Sequence, residues 1–178
     1  MTVRISQKVC LLGDFSVGKT SLVRRFVERQ FSDQYLSTVG VKISRKTVAA
    51  QATSQQGRVD VQMLIWDLEG NTKFKAITPM YLRGATAALV VADLSRQVTI
   101  EHISDHIQEF LSVNPHGFVI VALNKADKFT KDELSKALNS LQLQKQDKVI
   151  DIYLTSAKTG SCVDLMFQKL ADQMSKLK

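Results

Sequence analysis

Cysteine, proline and long apolar runs are all scarce in this chain. Two cysteines occur in 178 residues, Cys10 in an apolar, strand-like segment and Cys162 near the start of the last helical stretch. Thiols so far apart give no disulfide framework and are expected to stay reduced, as in a cytosolic protein. No apolar run is long enough to cross a bilayer, and no signal peptide precedes the first strand. The two prolines, Pro79 and Pro115, sit at element boundaries, and no repeat, linker or low-complexity tract divides the chain. Residues 1–178 are therefore expected to form a single domain, with a hydrophobic content of 44% that can bury a core without staples. Acidic residues are the scarcer charge, 17 against 24 basic, giving a formal net charge of +7. The basic residues are scattered, with no arginine-rich run or aromatic-basic ladder, so no nucleic-acid partner is expected. Such a charge attracts a polyanion or, weakly, an acidic membrane face.

Strand-like and helix-like segments alternate to the end of the chain, the pattern of a parallel sheet with crossover helices. Ile5 to Leu12 is the first strand, followed by a helical repeat over Ser21 to Val27. Val41 to Val48 and Val59 to Trp66 form a strand pair whose polar connection, Gln51 to Gly57, is too short for a crossover. They are expected to form an antiparallel hairpin at the sheet edge. Ala85 to Ala92, Phe118 to Leu123 and Val149 to Leu154 are nearly continuous apolar runs, expected in the middle of the sheet and covered on both faces. Val98 to Val113, Lys131 to Gln144 and Val163 to Leu177 have helical length and period. In the last, Val163, Met166, Phe167, Leu170 and Met174 form a stripe expected to pack on the sheet.

Between the first strand and first helix lies Gly13-Asp14-Phe15-Ser16-Val17-Gly18-Lys19-Thr20, which matches G-x-x-x-x-G-K-[ST]. The glycines let the backbone curl its N–H groups toward phosphate oxygens, Lys19 reaches the outer phosphates, and the Thr20 hydroxyl can coordinate Mg²⁺. The helix N-terminus adds a partial positive charge. Asp67-Leu68-Glu69-Gly70 closes a strand with D-x-x-G, where Asp67 can hold the Mg²⁺ shell and the Gly70 N–H can reach a terminal phosphate. Asn124-Lys125-Ala126-Asp127 closes another strand, and a carboxylate at Asp127 can accept the N1–H and N2–H₂ of guanine, which adenine cannot supply. Thr155-Ser156-Ala157-Lys158 follows the last strand and offers backbone N–H groups to the base oxygen. Four loops, each after a strand, thus converge on one edge of the sheet, where open α/β folds bind ligands. No Ser-His-Asp or Cys-His set stands out. His102, Asp105 and His106 fall at i, i+3 and i+4, a spacing that can present zinc ligands, but on a polar helix they are expected to be a solvated face.

With these motifs, the chain resembles a Ras-superfamily small GTPase over nearly its whole length, and most closely the Rab branch. The Rab-like residues are Ser37-Thr38-Val39-Gly40-Val41 and the run from Phe74 to Gly84. The resemblance implies an α/β P-loop NTPase small G domain, with a mostly parallel six-stranded sheet, one antiparallel edge strand and about five helices on both faces. It implies GTP/GDP and Mg²⁺ as ligands, and switches near Gln34 to Val41 and Gly70 to Arg83. The nucleotide set is then Ser16, Val17, Gly18, Lys19, Thr20, Ser21, Phe31, Thr38, Gly70, Asn124, Lys125, Asp127, Ser156, Ala157 and Lys158. Thr20 and Thr38 are implied metal ligands, with Asp67 acting through water. Phe31 is implied to lie against the guanine, though by pattern alone it is a core residue. Lys19, Thr38, Gly70 and Asn71 are the implied catalytic residues. Effectors, an exchange factor and an activating protein are the implied partners of a cytoplasmic monomer.

The departures from the family concern hydrolysis more than binding. Asp67-Leu68-Glu69-Gly70-Asn71 stands where relatives read D-T-A-G-Q, so the water-orienting glutamine is an asparagine, shorter by about 1.5 Å. Phe15 falls beside the γ-phosphate, where its ring either obstructs water and an activating arginine or turns outward onto a switch. Glu69 adds negative charge near the phosphates, and Lys42 replaces an aspartate common in Rab effector loops. These residues point to slow hydrolysis, or alternatively to a guanine-nucleotide-binding interaction module that hydrolyses negligibly. No cysteine follows Cys162, so the chain is expected either to carry no prenyl anchor or to continue in a tail beyond residue 178, leaving membrane contact indirect.

Overall fold

The computed structural model describes residues 2–34, 37–50, 59–70, 78–140 and 147–177. Six strands form one sheet: β1 (Val3–Leu12), β2 (Val41–Ala50), β3 (Val59–Leu68), β4 (Ala87–Asp93), β5 (Phe118–Asn124) and β6 (Val149–Leu154). Their spatial order is β2-β3-β1-β4-β5-β6. The β2–β3 pair is antiparallel, from Val41 opposite Leu68 to Ala50 opposite Val59, and the remaining pairs are parallel. This is the mixed sheet with an antiparallel edge strand that the sequence predicts; the connection at 51–58 lies outside the described residues.

Helices α1 (Lys19–Glu28) and α6 (Val163–Met174) cover one face, and α2 (Thr78–Leu82), α3 (Gln97–Glu101), α4 (Ile103–Val113) and α5 (Lys131–Ser140) lie on the other side of the chain's crossovers. Period-2 burial in β3 divides the two cores: Val59, Val61, Met63 and Ile65 belong to the core of α1 and α6, while Trp66 packs on the opposite face, against Tyr81 of α2. Phe26 of α1 stacks on Phe167 of α6 with centroids 3.9 Å apart. The predicted stripe of α6 is buried as expected. Opposite, Ile103, Ile107 and Phe110 of α4 pack on β4 and β5, which are buried at every residue.

Two sequence expectations need correction. β6 is an edge strand with one neighbour and is half-buried throughout, because Asp151 interrupts its apolar run and takes Tyr153 Oη and Lys169 on its open side. The single helix over Val98 to Val113 is two, α3 and α4, broken at His102, where ψ opens to −6° from the helical value near −42°. The helix from Lys131 is described to Ser140, and its predicted extension to Gln144 lies outside the described residues.

Every parallel strand ends at the same edge, so the turns after Leu12, Leu68, Asp93, Asn124 and Leu154 share it. This shared edge is where a doubly wound sheet leaves room for a ligand.

Candidate nucleotide site

The loop between β1 and α1 is held chiefly through its carbonyls. Phe15 O accepts from Arg96 Nη2 at 2.7 Å, Ser16 O from Lys125 Nζ at 3.1 Å, and Val17 O from Asn124 Nδ2 at 3.0 Å. Gly18 O takes the N–H of Leu22 at 2.9 Å and so starts the helix. In a planar trans peptide the next N–H points opposite to the carbonyl, so these contacts turn the N–H groups of Ser16 to Lys19 the other way. Gly18 has φ +102°, and a Cβ there would stand 2.3 Å from Asn124 Nδ2. Only glycine lets that amide brace the loop.

Lys19 is 6% exposed, with Nζ donating to Gly13 O at 2.7 Å and Asp14 O at 2.9 Å. Burial pulls its pKa down to about 8, against the raising influence of the Asp67, Asp14 and Glu69 charges. Gly70 comes so close that a Cβ would lie 2.6 Å from both Asp14 O and Lys19 Nζ. The D-x-x-G backbone therefore abuts Lys19.

Thr20, Thr38 and Asp67 meet beside it. Thr20 Oγ1 donates to Asp67 Oδ2 at 2.5 Å and lies 2.6 Å from Thr38 Oγ1, itself 3.5 Å from Asp67 Oδ2. Burial pushes the Asp67 carboxyl up, opposed by hydrogen bonds from Thr20 and Thr38 and by the Lys19 charge. Its Oδ1 is buried without a hydrogen-bond partner. Two hydroxyls and a carboxylate with an unmet buried oxygen are a hard oxygen donor set, which suits Mg²⁺. Glu69 has a further role: its Oε2 accepts the Gly40 N–H at 2.8 Å, and its own N–H bonds Gly40 O at 2.9 Å. It clasps the segment that carries Thr38, while its charge also acts on Lys19.

At the far end Asp127 Oδ1 accepts from Ser156 Oγ at 2.6 Å. Asn124 Oδ1 accepts the Ala157 N–H at 3.2 Å, so this one side chain ties the phosphate loop to the Thr155–Lys158 turn. Arg25 holds the same turn from below through Ala157 O at 2.8 Å. Phe31 lines the cavity and also packs on the core.

These parts enclose a cavity of about 470 Å³ that runs from Lys19 and Thr38 to Asp127 and Lys158. Ser16, Gly18, Lys19, Thr20 and Ser21 line it, as do Phe31, Thr38, Gly70, Asn124, Lys125, Asp127, Ala157 and Lys158. Val17, Asp67 and Ser156 stand just behind, each bonded to a lining residue. Asn71 lies outside the described residues.

Sequence reasoning missed Asp93. It is 1% exposed at the end of β4, with Oδ2 taking Lys125 Nζ at 2.6 Å and Arg96 Nε at 3.1 Å. Oδ1 takes the Ser95 N–H and hydroxyl at 2.9 and 2.6 Å. Burial alone would raise its pKa, but the hydrogen bonds from Lys125 and Ser95 and the Lys125 charge hold it at about 2. Its signal was an acid closing an otherwise apolar strand. Of the face expected to be solvated, His102 and Asp105 are exposed and His106 is half-buried, and both histidine rings contact Asp14, at 2.7 and 2.9 Å. No group of three histidine, cysteine or acidic side chains among the described residues could hold a metal ion, so the zinc spacing finds no support.

A glycine loop between strand and helix, on a mixed six-stranded sheet whose other strand-following turns share the same edge, defines a P-loop domain of the small G-domain type. The family model of Roc, the Ras of Complex domain of DAPkinase, matches residues 8–127. GTP-binding protein ypt5 of Schizosaccharomyces pombe is 34% identical over 173 residues, 97% of this chain and 79% of its own. Ras-related protein RABF2a of Arabidopsis thaliana is 33% identical over 174 residues, 97% and 83% of the two chains. Ras-related protein Rab-22A of Homo sapiens is 39% identical over 121 residues, 67% and 59%. The chain belongs to the Ras superfamily of small GTPases and is Rab-like within it. It is a GTP-binding regulatory GTPase, and the alternative of a module that binds without hydrolysing is not favoured. No helix among the described residues is long and apolar enough to cross a membrane.

Proposed function

We propose that the 178 residues act as one G domain, a cytoplasmic, monomeric switch of the trafficking type that holds Mg²⁺ with its nucleotide and hydrolyses GTP slowly. One observation carries this reading: the Thr20–Thr38–Asp67 cluster beside Lys19 and the Asp127–Ser156 pair lie at opposite ends of one cavity. Asp127, oriented by the Ser156 hydroxyl, reads the N1–H and N2–H₂ of guanine. Phe31 flanks the base, and Ala157 and Lys158 supply backbone N–H groups to its oxygen. The N–H groups of Ser16 to Lys19 take the phosphates, with Ser21 behind them. Bound Mg²⁺, held by Thr20 and Thr38 and through water by Asp67, would supply charge neutralisation at the phosphates.

Hydrolysis follows from the same residues. Lys19 and the Gly70 N–H stabilise charge on the γ-phosphate as water attacks in line, and Asn71 orients that water. The short asparagine keeps the unaided rate at or below about 10⁻⁴ to 10⁻³ s⁻¹. Thr38 reports the γ-phosphate to the segment that Glu69 clasps at Gly40, which makes that segment the effector face. Exchange factor, activating protein and effectors are protein partners; nucleic acid is not one, and membrane contact is indirect. The test is to load purified protein with GTP and Mg²⁺ and follow bound nucleotide by chromatography over hours. GDP is expected to appear slowly. Turnover near 1 s⁻¹ without a partner overturns the slow-switch reading, and persistence of GTP overturns hydrolysis by this chain alone.

A further inference from the structure

The phosphate loop is gripped a second time, by the start of α4 and the residues before it. Asp14 turns its carboxylate there, with Oδ2 2.7 Å from His102 Nδ1 and Oδ1 2.9 Å from His106 Nε2. The other ring nitrogen of His106 faces Glu109 Oε2 at 3.9 Å. Arg96, just before α3, holds Phe15 O at 2.7 Å. These groups border a second cavity, of about 510 Å³, onto which Glu69 and Asp105 also open.

We propose that His102 and His106 are positioning residues for the phosphate loop, and that protonation of His106 against Asp14 sets the rate at which guanine nucleotide leaves. The inference rests on the nucleotide reading above and adds a proton to it. His106 stands between two carboxylates: its Nε2 can donate to Asp14 at 2.9 Å, and as an imidazolium it also sets its positive charge against Glu109, too far at 3.9 Å for a hydrogen bond. Burial opposes its charge, for the side chain is 18% exposed, yet the Asp14 and Glu109 carboxylates facing it outweigh that and raise it above its ordinary 6.5. Burial likewise works against ionised Asp14, but its bonds to His106 and His102 outweigh burial and lower it, so it stays a carboxylate. With the His106 pKa raised, the brace is complete below about pH 6.5 and is lost as pH rises through the raised value.

The brace reaches the nucleotide through the backbone. Asp14 O is one of the two seats of Lys19 Nζ, and Gly70 packs against that same carbonyl. A shift of Asp14 therefore moves the cation that holds the phosphates. The charged groups facing the histidines are Asp14 and Arg96 from the loops, Glu69 from the end of β3, and Asp105 and Glu109 from α4. Lys19, down at about 8, titrates nearby, so the histidine contribution is isolated by comparing variants at each pH.

The experiment follows release of fluorescently labelled GDP into excess unlabelled GDP, from about pH 6 to about pH 9, for the unaltered chain, His102→Gln, His106→Gln and the double variant. Release from the unaltered chain is expected to quicken about fivefold toward the alkaline end, the ratio that about 1 kcal/mol between charge-assisted and neutral hydrogen bonds gives. The double variant is expected to release quickly at every pH, without that rise. Imidazole titration by NMR supplies a readout independent of nucleotide and of any variant that folds poorly: His106 in the unaltered chain should titrate above 6.5, and fall back toward it in Asp14→Asn. Superimposable pH profiles for the unaltered chain and the double variant overturn the proposal, as does His106 titrating at or below 6.5. If the unaltered chain retains no labelled GDP at any pH, the nucleotide reading falls first and this inference with it.

Discussion

Asp93→Asn tests whether a buried carboxylate that does not line the cavity holds the site in shape. Its two oxygens serve different donors: Oδ1 takes Ser95, while Oδ2 takes Lys125 and Arg96. An asparagine has one oxygen and one NH₂, so in either orientation a donor pair meets another donor. The carboxyl lies at about 2 against an ordinary 3.8, a difference equivalent to about 2.5 kcal/mol of stability. Because the folded pKa is depressed, that stability is fully present above about pH 4 and is lost as pH falls toward 2. Equilibrium urea unfolding at a fixed excess of GDP reads it, and with a slope of about 2 kcal/mol per molar urea the midpoint should fall by about 1 M at pH 7. Weaker GDP binding, through slack in Lys125 and Arg96, can only add to that loss. The gap between variant and unaltered chain should narrow as pH falls from about 4 to about 2, where both side chains are neutral. No midpoint shift at pH 7, or one that persists undiminished at the acid end, refutes the argument.

Other substitutions probe the rest of the site. Gly18→Ala puts a Cβ into a left-handed backbone 2.3 Å from Asn124 Nδ2, and should cost about 3 kcal/mol or more in thermal unfolding while abolishing GDP retention. Asp127→Ala should weaken GDP by about 10⁴ while leaving ADP affinity unchanged in the same titration; an equal loss for both nucleotides would mean that Asp127 acts only on the fold. Asn71→Gln should raise single-turnover hydrolysis by up to about a hundredfold, and an unchanged rate removes the short side chain as the cause of slowness.

What the sequence made legible was carried by spacing and pattern. The glycine loop, D-x-x-G and the Asn124–Asp127 motif each sit at the end of a strand, and parallel strands bring such ends together, so the cavity followed from order along the chain. The β2–β3 hairpin was equally legible, because a short connection excludes a crossover. The hidden parts are hydrogen bonds between residues far apart in sequence. Asn124 lines the cavity, and what its motif does not reveal is that its amide also spans to Val17 and Ala157 as a strut. The acid at Glu69 carries no sign in its neighbours that it meets Gly40, nor the pair at His102 and His106 that Asp14 lies 2.7 and 2.9 Å away. Position on β6 was misread because a run of six mostly apolar residues looks alike in the centre and at the rim of a sheet.

The carbonyl contacts also bear on Phe15, which sequence alone left either blocking the γ-phosphate or turned onto a switch. Apart from the lysine and threonine that close it, a phosphate loop works by its backbone, so a side chain at residue 15 matters where it interferes with that backbone. From Phe15 to Gly18 each carbonyl has its own donor, supplied in turn by Arg96, Lys125, Asn124 and the Leu22 N–H. Peptide planarity then fixes the four following N–H groups, whatever side chain residue 15 bears. The ring itself is 45% exposed and borders both the nucleotide cavity and the cavity beside His102 and His106. It forms the wall between them. A bulky residue is thus compatible with a well-formed phosphate grip, because the loop is held from behind by cations from two other strand ends. Any effect of Phe15 on turnover must then come from its ring at the cavity mouth, and Phe15→Ala should change the hydrolysis rate while leaving GDP affinity within about threefold.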